Sequence, residues 1–164
     1  MILIRDAAPA DLSAIVAITN QAILYTTAIW SITPVDVAAR TLWWQERTAQ
    51  GFPVLVAEAR GQIIGFGSYG PFRPHDGYVH TIEHSVYVTP EAQHQGAGSA
   101  LLAALLDRAK AAGKHVMVGG IDANNAASLT LHRRFGFSET GRLPEVGRKF
   151  DRWLDLVLMQ KQLG

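Results

Sequence analysis

The most informative absence in this 164-residue chain is cysteine, which does not occur at all. Without thiols there is no disulfide, no thiolate-ligated zinc, no iron–sulfur cluster and no cysteine nucleophile. The chain also lacks an excess of either charge, because 15 lysines and arginines stand against 14 aspartates and glutamates. Nucleic-acid-binding proteins usually carry a clear basic excess, so we expect no nucleic-acid partner.

Long hydrophobic runs are absent as well. No apolar run approaches the ~18 residues of a membrane-spanning helix, and the first residues do not have the pattern of a signal peptide. We therefore expect a cytoplasmic protein with no membrane partner. Hydrophobic residues still make up 48% of the chain, and its length suits one hydrophobic core. The prediction is a single domain spanning residues 1–164.

The apolar periodicity predicts an α/β protein with a mixed sheet. Thr33 and Pro34 have the features of a helix start, as the cap and the first helical residue. Arg60-Gly61 separates two β-branched runs and predicts a hairpin. The predicted strands lie near residues 2–5, 54–59, 62–69, 78–88, 115–121, 137–141 and 153–160. The predicted helices lie near residues 11–22, 34–49 and 99–112, and from Asn124 or Asn125 to about 135.

The loop before the predicted helix 99–112 is the strongest chemical signal in the sequence. Free N–H groups at a helix start favour an anion, and Gly96 and Gly98 would let a phosphate approach the backbone. An ordinary strand-to-helix turn is the alternative that two glycines leave open. The dinucleotide and phosphate-loop patterns do not fit here, and no Gly-x-Ser-x-Gly hydrolase motif occurs.

The pattern Gln93-x-x-Gly96-x-Gly98 resembles the pyrophosphate-binding motif of the GCN5-related N-acetyltransferases, the GNAT superfamily. The segment from Asn125 to Phe137 is similar to the second cofactor segment of that superfamily. Within it, further blocks resemble the phosphinothricin and methionine sulfoximine N-acetyltransferases. These blocks are residues 27–30, 70–74, 82–88, 115–118 and 146–155.

This resemblance implies the GNAT fold, a mixed, mostly antiparallel sheet of about seven strands flanked by about four helices. It also implies acetyl transfer from acetyl-CoA to the α-amine of a small amino acid analogue, commonly by a homodimer. L-methionine sulfoximine, L-phosphinothricin and methionine sulfone are such analogues. Because the chain has no cysteine to carry the acetyl group, direct transfer in a ternary complex is favoured. The alternatives are a different small amine as substrate and a non-catalytic acyl-CoA-binding sensor of the same fold.

Acetyl transfer to an ammonium group requires a general base. Glu83 lies in mid-strand, where desolvation would raise its pKa, and the resemblance of residues 82–88 favours it as the base. Its alternative is a carboxylate that faces solvent or pairs with an arginine. In a regular strand His84 points to the opposite face, so it shares the pocket only if the strand bulges. Otherwise it is a packed core histidine.

Many members of the superfamily carry, at the position of His132, a tyrosine that protonates the departing thiolate. The resemblance makes His132 a candidate for that role, and a histidine on a helix surface is the alternative. Arg73, between prolines, is expected to clamp the carboxylate or phosphinate of the substrate, unless it is a solvated loop arginine. His80 and His84 lie about 13 Å apart along the predicted strand and cannot share a metal, so we expect none.

The remaining predictions are contacts implied by the resemblance. Phe72 and Trp30 would wall the substrate side chain or belong to the core, and Lys149 and Arg152 would meet the substrate anion, also across a dimer interface, or be surface charges. The full substrate-binding set is Trp30, Phe72, Arg73, Pro74, His75, Glu83, His84, Ser85 and Lys149. The acetyl-CoA set is Val86, Tyr87, Val88, His94, Gln95, Gly96, Ala97, Gly98, Ser99, Asn125 and Ser128, with Arg133 and Arg134 as candidates for the 3′-phosphate.

Overall fold

A computed structural model describes all 164 residues, which form one seven-stranded sheet and four α-helices. The strands are β1 (Leu3–Asp6), β2 (Val54–Ala59), β3 (Gln62–Pro71), β4 (Thr81–Val88), β5 (Val116–Asp122), β6 (Ser138–Lys149) and β7 (Arg152–Gln162). The helices are α1 (Leu12–Tyr25), α2 (Val37–Ala49), α3 (Ala97–Ala111) and α4 (Ala126–Arg134). The sheet order is β1-β2-β3-β4-β5-β7-β6, and only β4 and β5 run parallel. The predicted fold class is confirmed.

The β2–β3 hairpin forms where the sequence predicts it. Arg60 and Gly61 both have left-handed backbone angles, with φ of 52° and 75°. This is the conformation that a two-residue turn between antiparallel strands requires, and glycine adopts it without strain.

The start of α2 differs from the prediction. Asp36 caps the helix, because its carboxylate accepts a hydrogen bond from the Ala39 N–H at 2.7 Å. The assignment of Thr33 as the cap and Pro34 as the first helical residue was wrong. The side chain of Asn20 binds both the N–H and the C=O of Val35, which holds this segment outside the helix.

The β6–β7 hairpin is much longer than predicted. Its turn residues, Phe150 and Asp151, have φ of 51° and 56° without any glycine to signal a turn. The pairing of β6 with β7 also shifts register twice, which obscures the alternation of side chains. β4 in turn starts later than predicted, because Asp76–Tyr78 forms a short 3-10 turn.

The sheet separates two helical layers, and β4 contributes side chains to both. Buried residues of α3 and α4 pack with Ile82, Val86 and Val88 on one face. Residues of α1 and α2 pack on the other face, where Tyr87 joins their cluster. Since side chains alternate along a strand, Glu83 and Ser85 project with Tyr87 toward the α1–α2 layer. None of the four helices has the length and apolarity to cross a membrane.

Candidate active site

The centre of the sheet opens between β4 and β5. These strands pair only over residues 81–83 and 116–118. From Ser85 to Val88 the β5-facing edge of β4 therefore has no strand partner. Backbone N–H and C=O groups on such an edge are free to bind the amide groups of an extended ligand. Glu83 lies at the point where the pairing ends.

Glu83 has the properties of a proton acceptor. Its side chain is exposed on the α1–α2 face and takes part in none of the ion pairs. Surrounding protein atoms nevertheless desolvate the carboxyl group and raise its pKa, and the charge of Arg73 partly opposes this shift. A carboxylate with a raised pKa is a better base than one in water.

The loop after β3 lies beside Glu83. Arg73 is exposed, and its guanidinium carbon is 5.2 Å from the centre of the Phe72 ring. Phe72 is half-buried against Tyr78, and the ring centre of the exposed His75 lies 6.4 Å from that of Tyr78. Ser85 projects from the same face of β4 as Glu83, and Pro74 is exposed in the loop. The structure thus brings the loop residues and Glu83 to one side of the sheet.

His84 does not share this side. The register between β3 and β4 runs without a bulge, so adjacent residues of β4 face opposite layers. His84 is buried against α4, where its Nε2 lies 2.9 Å from Nε2 of His132. His132 is also buried and not on the helix surface. Together with Phe137 the two rings form a packed cluster.

The hydrogen bonds of this pair determine where its protons lie. Nδ1 of His84 donates to the Val118 carbonyl at 3.0 Å, and Nδ1 of His132 donates to the Ser128 carbonyl at 2.6 Å. A neutral imidazole has a single N–H, so both Nε2 atoms are then unprotonated. A proton on one of the two Nε2 atoms would allow a hydrogen bond between them. Burial, however, lowers the pKa of both rings, that of His84 to about 4. Burial thus favours the neutral form of the pair.

Trp30 and Lys149 hold the connection between α1 and α2 against the β6–β7 hairpin. The Trp30 ring lies on Gly147, where a Cβ would come within 2.3 Å of it. Lys149 is buried, and its ammonium donates to the carbonyls of Thr26 and Ile29 at 2.6 and 2.5 Å. The ammonium group is therefore already hydrogen-bonded within the protein. Lys149 thus fixes the α1–α2 connection in place, whereas the sequence predicted that it would contact a substrate anion.

The glycine loop leads into α3 as predicted. Gly96 has φ of 95° and precedes the helix without any side-chain cap, so the N–H groups of Ala97, Gly98 and Ser99 have no intrahelical partner. Gly98 lies close to Val88, and His94 and Gln95 are exposed in the loop. An uncapped helix start of this kind fits an anionic phosphate group.

The start of α4 is capped by Asn125, as predicted. Its side-chain oxygen accepts a hydrogen bond from the Ser128 N–H at 3.1 Å. Arg133 and Arg134 are exposed in the last turn of this helix. Asn125 and Ser128 thus lie at the end of α4 that follows β5, and β5 borders the opening next to β4.

Sequence reasoning missed two residues on α2. Arg40 and Arg47 are half-buried, stack on the ring of Trp43 at 4.6 and 5.3 Å, and form no ion pair. Their spacing of seven places both on one face of the helix. The sequence signal that could have identified them is the presence of two arginines and tryptophans on one face of α2.

The site combines an open strand edge, an uncapped helix after a glycine loop and an unpaired carboxylate. These features indicate an enzyme that brings a group donor, whose carrier contains phosphates, to a nucleophile. Comparison with known proteins makes this specific. The chain belongs to the acetyltransferase (GNAT) family, whose model matches residues 15–137. The arrangement is that of an N-acetyltransferase, and acetyl-CoA is its co-substrate.

One relative and two solved structures show the extent of the similarity. An L-methionine sulfoximine/L-methionine sulfone acetyltransferase of Pseudomonas aeruginosa is 53% identical over 98% of this chain and 94% of its own. A structure of a putative acetyltransferase from Salmonella typhimurium with its cofactor acetyl-CoA has a TM-score of 0.97 and 49% identity, covering 99% of this chain and 94% of that one. A ribosomal-protein-alanine N-acetyltransferase from Brucella melitensis has a TM-score of 0.96 and 52% identity, covering 98% and 99%.

Proposed function

We propose that residues 1–164 form one acetyltransferase domain that acetylates the α-amine of a small amino acid analogue. L-methionine sulfoximine, L-methionine sulfone and L-phosphinothricin are the proposed substrates. The observation that carries the proposal is Glu83, an unpaired carboxylate with a raised pKa at the end of the β4–β5 pairing. The similarity to the Pseudomonas aeruginosa enzyme over nearly the whole chain supports the choice of substrate.

In the proposed mechanism both substrates are bound together, and Glu83 acts first. Its carboxylate accepts a proton from the α-ammonium group, which leaves a nucleophilic amine. The amine nitrogen forms a bond to the thioester carbonyl carbon and releases its second proton to water, and the C–S bond then breaks with its electron pair on sulfur. A backbone N–H on the open edge of β4 near Val86 polarises the carbonyl oxygen. Arg73 binds a polar or anionic group of the substrate from the adjacent loop.

The co-substrate is held mainly by backbone groups. The N–H groups after Gly96 bind the pyrophosphate, and the free edge of β4 pairs with the amides of the pantetheine arm. Residues from Thr89 to Ala104 include no lysine or arginine. The attraction for phosphate in this loop therefore comes from the helix start itself.

The departing thiolate needs a proton, and His132 is the proposed donor. Since a neutral His84–His132 pair has no N–H on either Nε2, the pair first takes up one proton from water, which His132 then donates to the sulfur.

We also propose a homodimer in the cytoplasm. Exposed apolar side chains cluster on the β6–β7 hairpin, and β6 is an edge strand. These side chains are Leu143, Val146, Phe150 and Trp153. Such a patch at a sheet edge favours association with a second copy. A role in herbicide resistance would follow from activity on phosphinothricin.

The test is release of free CoA from acetyl-CoA by purified protein with a panel of amines. The panel holds the three proposed substrates, their D-forms, ordinary amino acids, a polyamine and a peptide with an N-terminal alanine. Release with the L-analogues and not with the D-forms is expected. The peptide covers the second candidate, protein N-terminal acetylation, which the Brucella melitensis relative favours. Binding of acetyl-CoA without release with any amine would contradict the proposed activity and favour a sensor.

A further inference from the structure

The inner face of α2 presents hydrogen-bond donors and positive charge without an acceptor to match them. Nε of Arg40 and the indole Nε1 of Trp44 are buried and have no hydrogen-bond partner. Arg47 donates to the hydroxyl of Ser68 at 3.2 Å, and neither arginine contacts a carboxylate. Buried donors are normally satisfied, and two adjacent guanidinium groups without a counter-ion are unfavourable. This arrangement points to an anion that belongs to a ligand.

Stacking on Trp43 accounts for the position of the two arginine side chains but not for their charge. A ring face attracts a cation, yet it offers no lone pair to a buried N–H. Burial lowers the pKa of both guanidinium groups, and neither forms an ion pair with a carboxylate. The missing partner is therefore an acceptor that carries negative charge.

The packing of α2 on β3 places Arg47 over the strand position that pairs with Glu83. The guanidinium of Arg47 lies directly over Gly70, where a Cβ would come within 2.8 Å of its Cζ. Gly70 pairs with Glu83 in the β3–β4 register. Paired residues of antiparallel strands project from the same face with Cα atoms about 4.5–5.5 Å apart. Arg47 thus lies over the residue that pairs with Glu83, on the face of the sheet from which Glu83 projects.

A second line of evidence brings Arg40 to the same place. The charges of Arg40, Arg47 and Glu83 all act on the phenol of Tyr87, which is two positions from Ser85 on the same face of β4. The two arginines and Glu83 therefore border the same side of the sheet around Tyr87. A molecule that carries an amine and a carboxylate on one carbon spans such a region.

We propose that Arg40 and Arg47 bind the α-carboxylate of the amino acid substrate and thereby place its α-amine at Glu83. This assignment rests on the proposed function. It divides the anion recognition between two places: the α2 arginines take the carboxylate, and Arg73 on its loop takes the polar group at the far end of the substrate side chain. Gly70 is the residue that leaves room for the Arg47 guanidinium over the sheet.

The test compares L-methionine sulfone with its carboxamide, which keeps the amine and loses the negative charge. For the wild-type enzyme we expect a higher kcat/KM with the acid. Arg47→Gln and Arg40→Gln should each raise KM for the acid about 10-fold to 100-fold, as expected for a charged hydrogen bond, with a smaller change in kcat. Neither variant should raise KM for the carboxamide as much, so the ratio of kcat/KM for the acid to that for the carboxamide should fall toward one. Arg47→Lys should restore part of this preference for the acid.

Gly70→Ala provides a variant that retains both charges. Its methyl group displaces only the end of the flexible Arg47 side chain, so we expect a folded protein with the same loss of preference. Arg60→Gln, at the exposed β2–β3 turn, is the matched control and should behave as the wild type. Circular dichroism melts show whether each variant is folded.

The outcomes separate this inference from the proposed function. If the wild-type enzyme acetylates no amino acid, the proposed function and the carboxylate site both fall. If it acetylates L-methionine sulfone but folded Arg47→Gln and Gly70→Ala proteins keep the wild-type preference for the acid, only the carboxylate site is overturned. Loss of that preference in Arg73→Gln alone would assign the carboxylate to the loop.

Discussion

Glu83 and His84 show that a difference of one position in a strand places a side chain on the opposite face of the sheet. The two side chains are neighbours in sequence, yet Glu83 faces the α1–α2 layer and His84 is buried under α4. Sequence could predict the alternation and could state both alternatives for His84. It could not choose between them, because the absence of a bulge in β4 is set by its pairing with β3.

The buried histidine pair makes stability depend on pH. In the folded protein the pKa of His84 is about 4, whereas its usual value is 6.5. Between these pH values the unfolded chain binds a proton that the folded chain does not. The free energy of unfolding should therefore fall as pH decreases from 6.5 to about 4, by as much as about 3 kcal/mol.

Urea denaturation between pH 4 and 7.5 measures this dependence. His84→Phe, which keeps a ring beside Phe137, should flatten the slope between pH 6.5 and 4, and the exposed His80→Gln should not change it. An unchanged slope in His84→Phe would show that His84 does not titrate as described.

At the scale of elements, the start of α3 is the part of the site that sequence predicts best. The strand, glycine loop and helix follow one another directly, so local residues decide the geometry. The β6–β7 hairpin is the opposite case. Its turn at Phe150 and Asp151 has left-handed angles without glycine, and this conformation is imposed by pairing between distant residues.

Gly96 tests the role of the α3 start, and Gly113 provides a matched control. Both have positive φ, at 95° and 71°, and an added Cβ would meet no protein atom within 4 Å at either position. Alanine should therefore destabilise each variant by a similar amount, about 1 kcal/mol. Only Gly96→Ala should raise KM for acetyl-CoA, by about 10-fold, because it disturbs the N–H groups at the helix start.

Thermal melts together with initial rates at varied acetyl-CoA concentration separate the two effects. An equal KM for Gly96→Ala and Gly113→Ala would mean that the helix start does not bind the phosphates.

At the scale of the whole molecule, the two layers of helices contribute different parts of the site. The α3–α4 layer borders the open edge of β4, and the α1–α2 layer carries the groups that surround Glu83. The role of the Arg40–Arg47 pair was beyond prediction from sequence, because only the packing of α2 on β3 brings Arg47 over Gly70. Periodicity could place both arginines on one face but not name what that face covers.

The patch on the β6–β7 hairpin predicts a dimer. Sedimentation at micromolar concentration should give twice the chain mass of 17.8 kDa. Trp153→Glu places a charge in the patch and should produce monomers, whereas Leu42→Glu, at an exposed position on α2, should leave the dimer intact. A wild-type protein that sediments as a monomer would contradict the proposed assembly.

The central claim is that Glu83 accepts the proton of the attacking amine. Its most direct test is the pH dependence of CoA release with saturating acetyl-CoA and L-methionine sulfone, measured for the wild-type enzyme and for Glu83→Gln. Since the raised pKa of Glu83 lies above the usual 4.5, the wild-type rate should fall as pH drops through that raised value. Glu83→Gln should lose this acidic limb and turn over about 10²–10⁴-fold more slowly at neutral pH. A variant with near-wild-type turnover, or with the same acidic limb, would contradict the account.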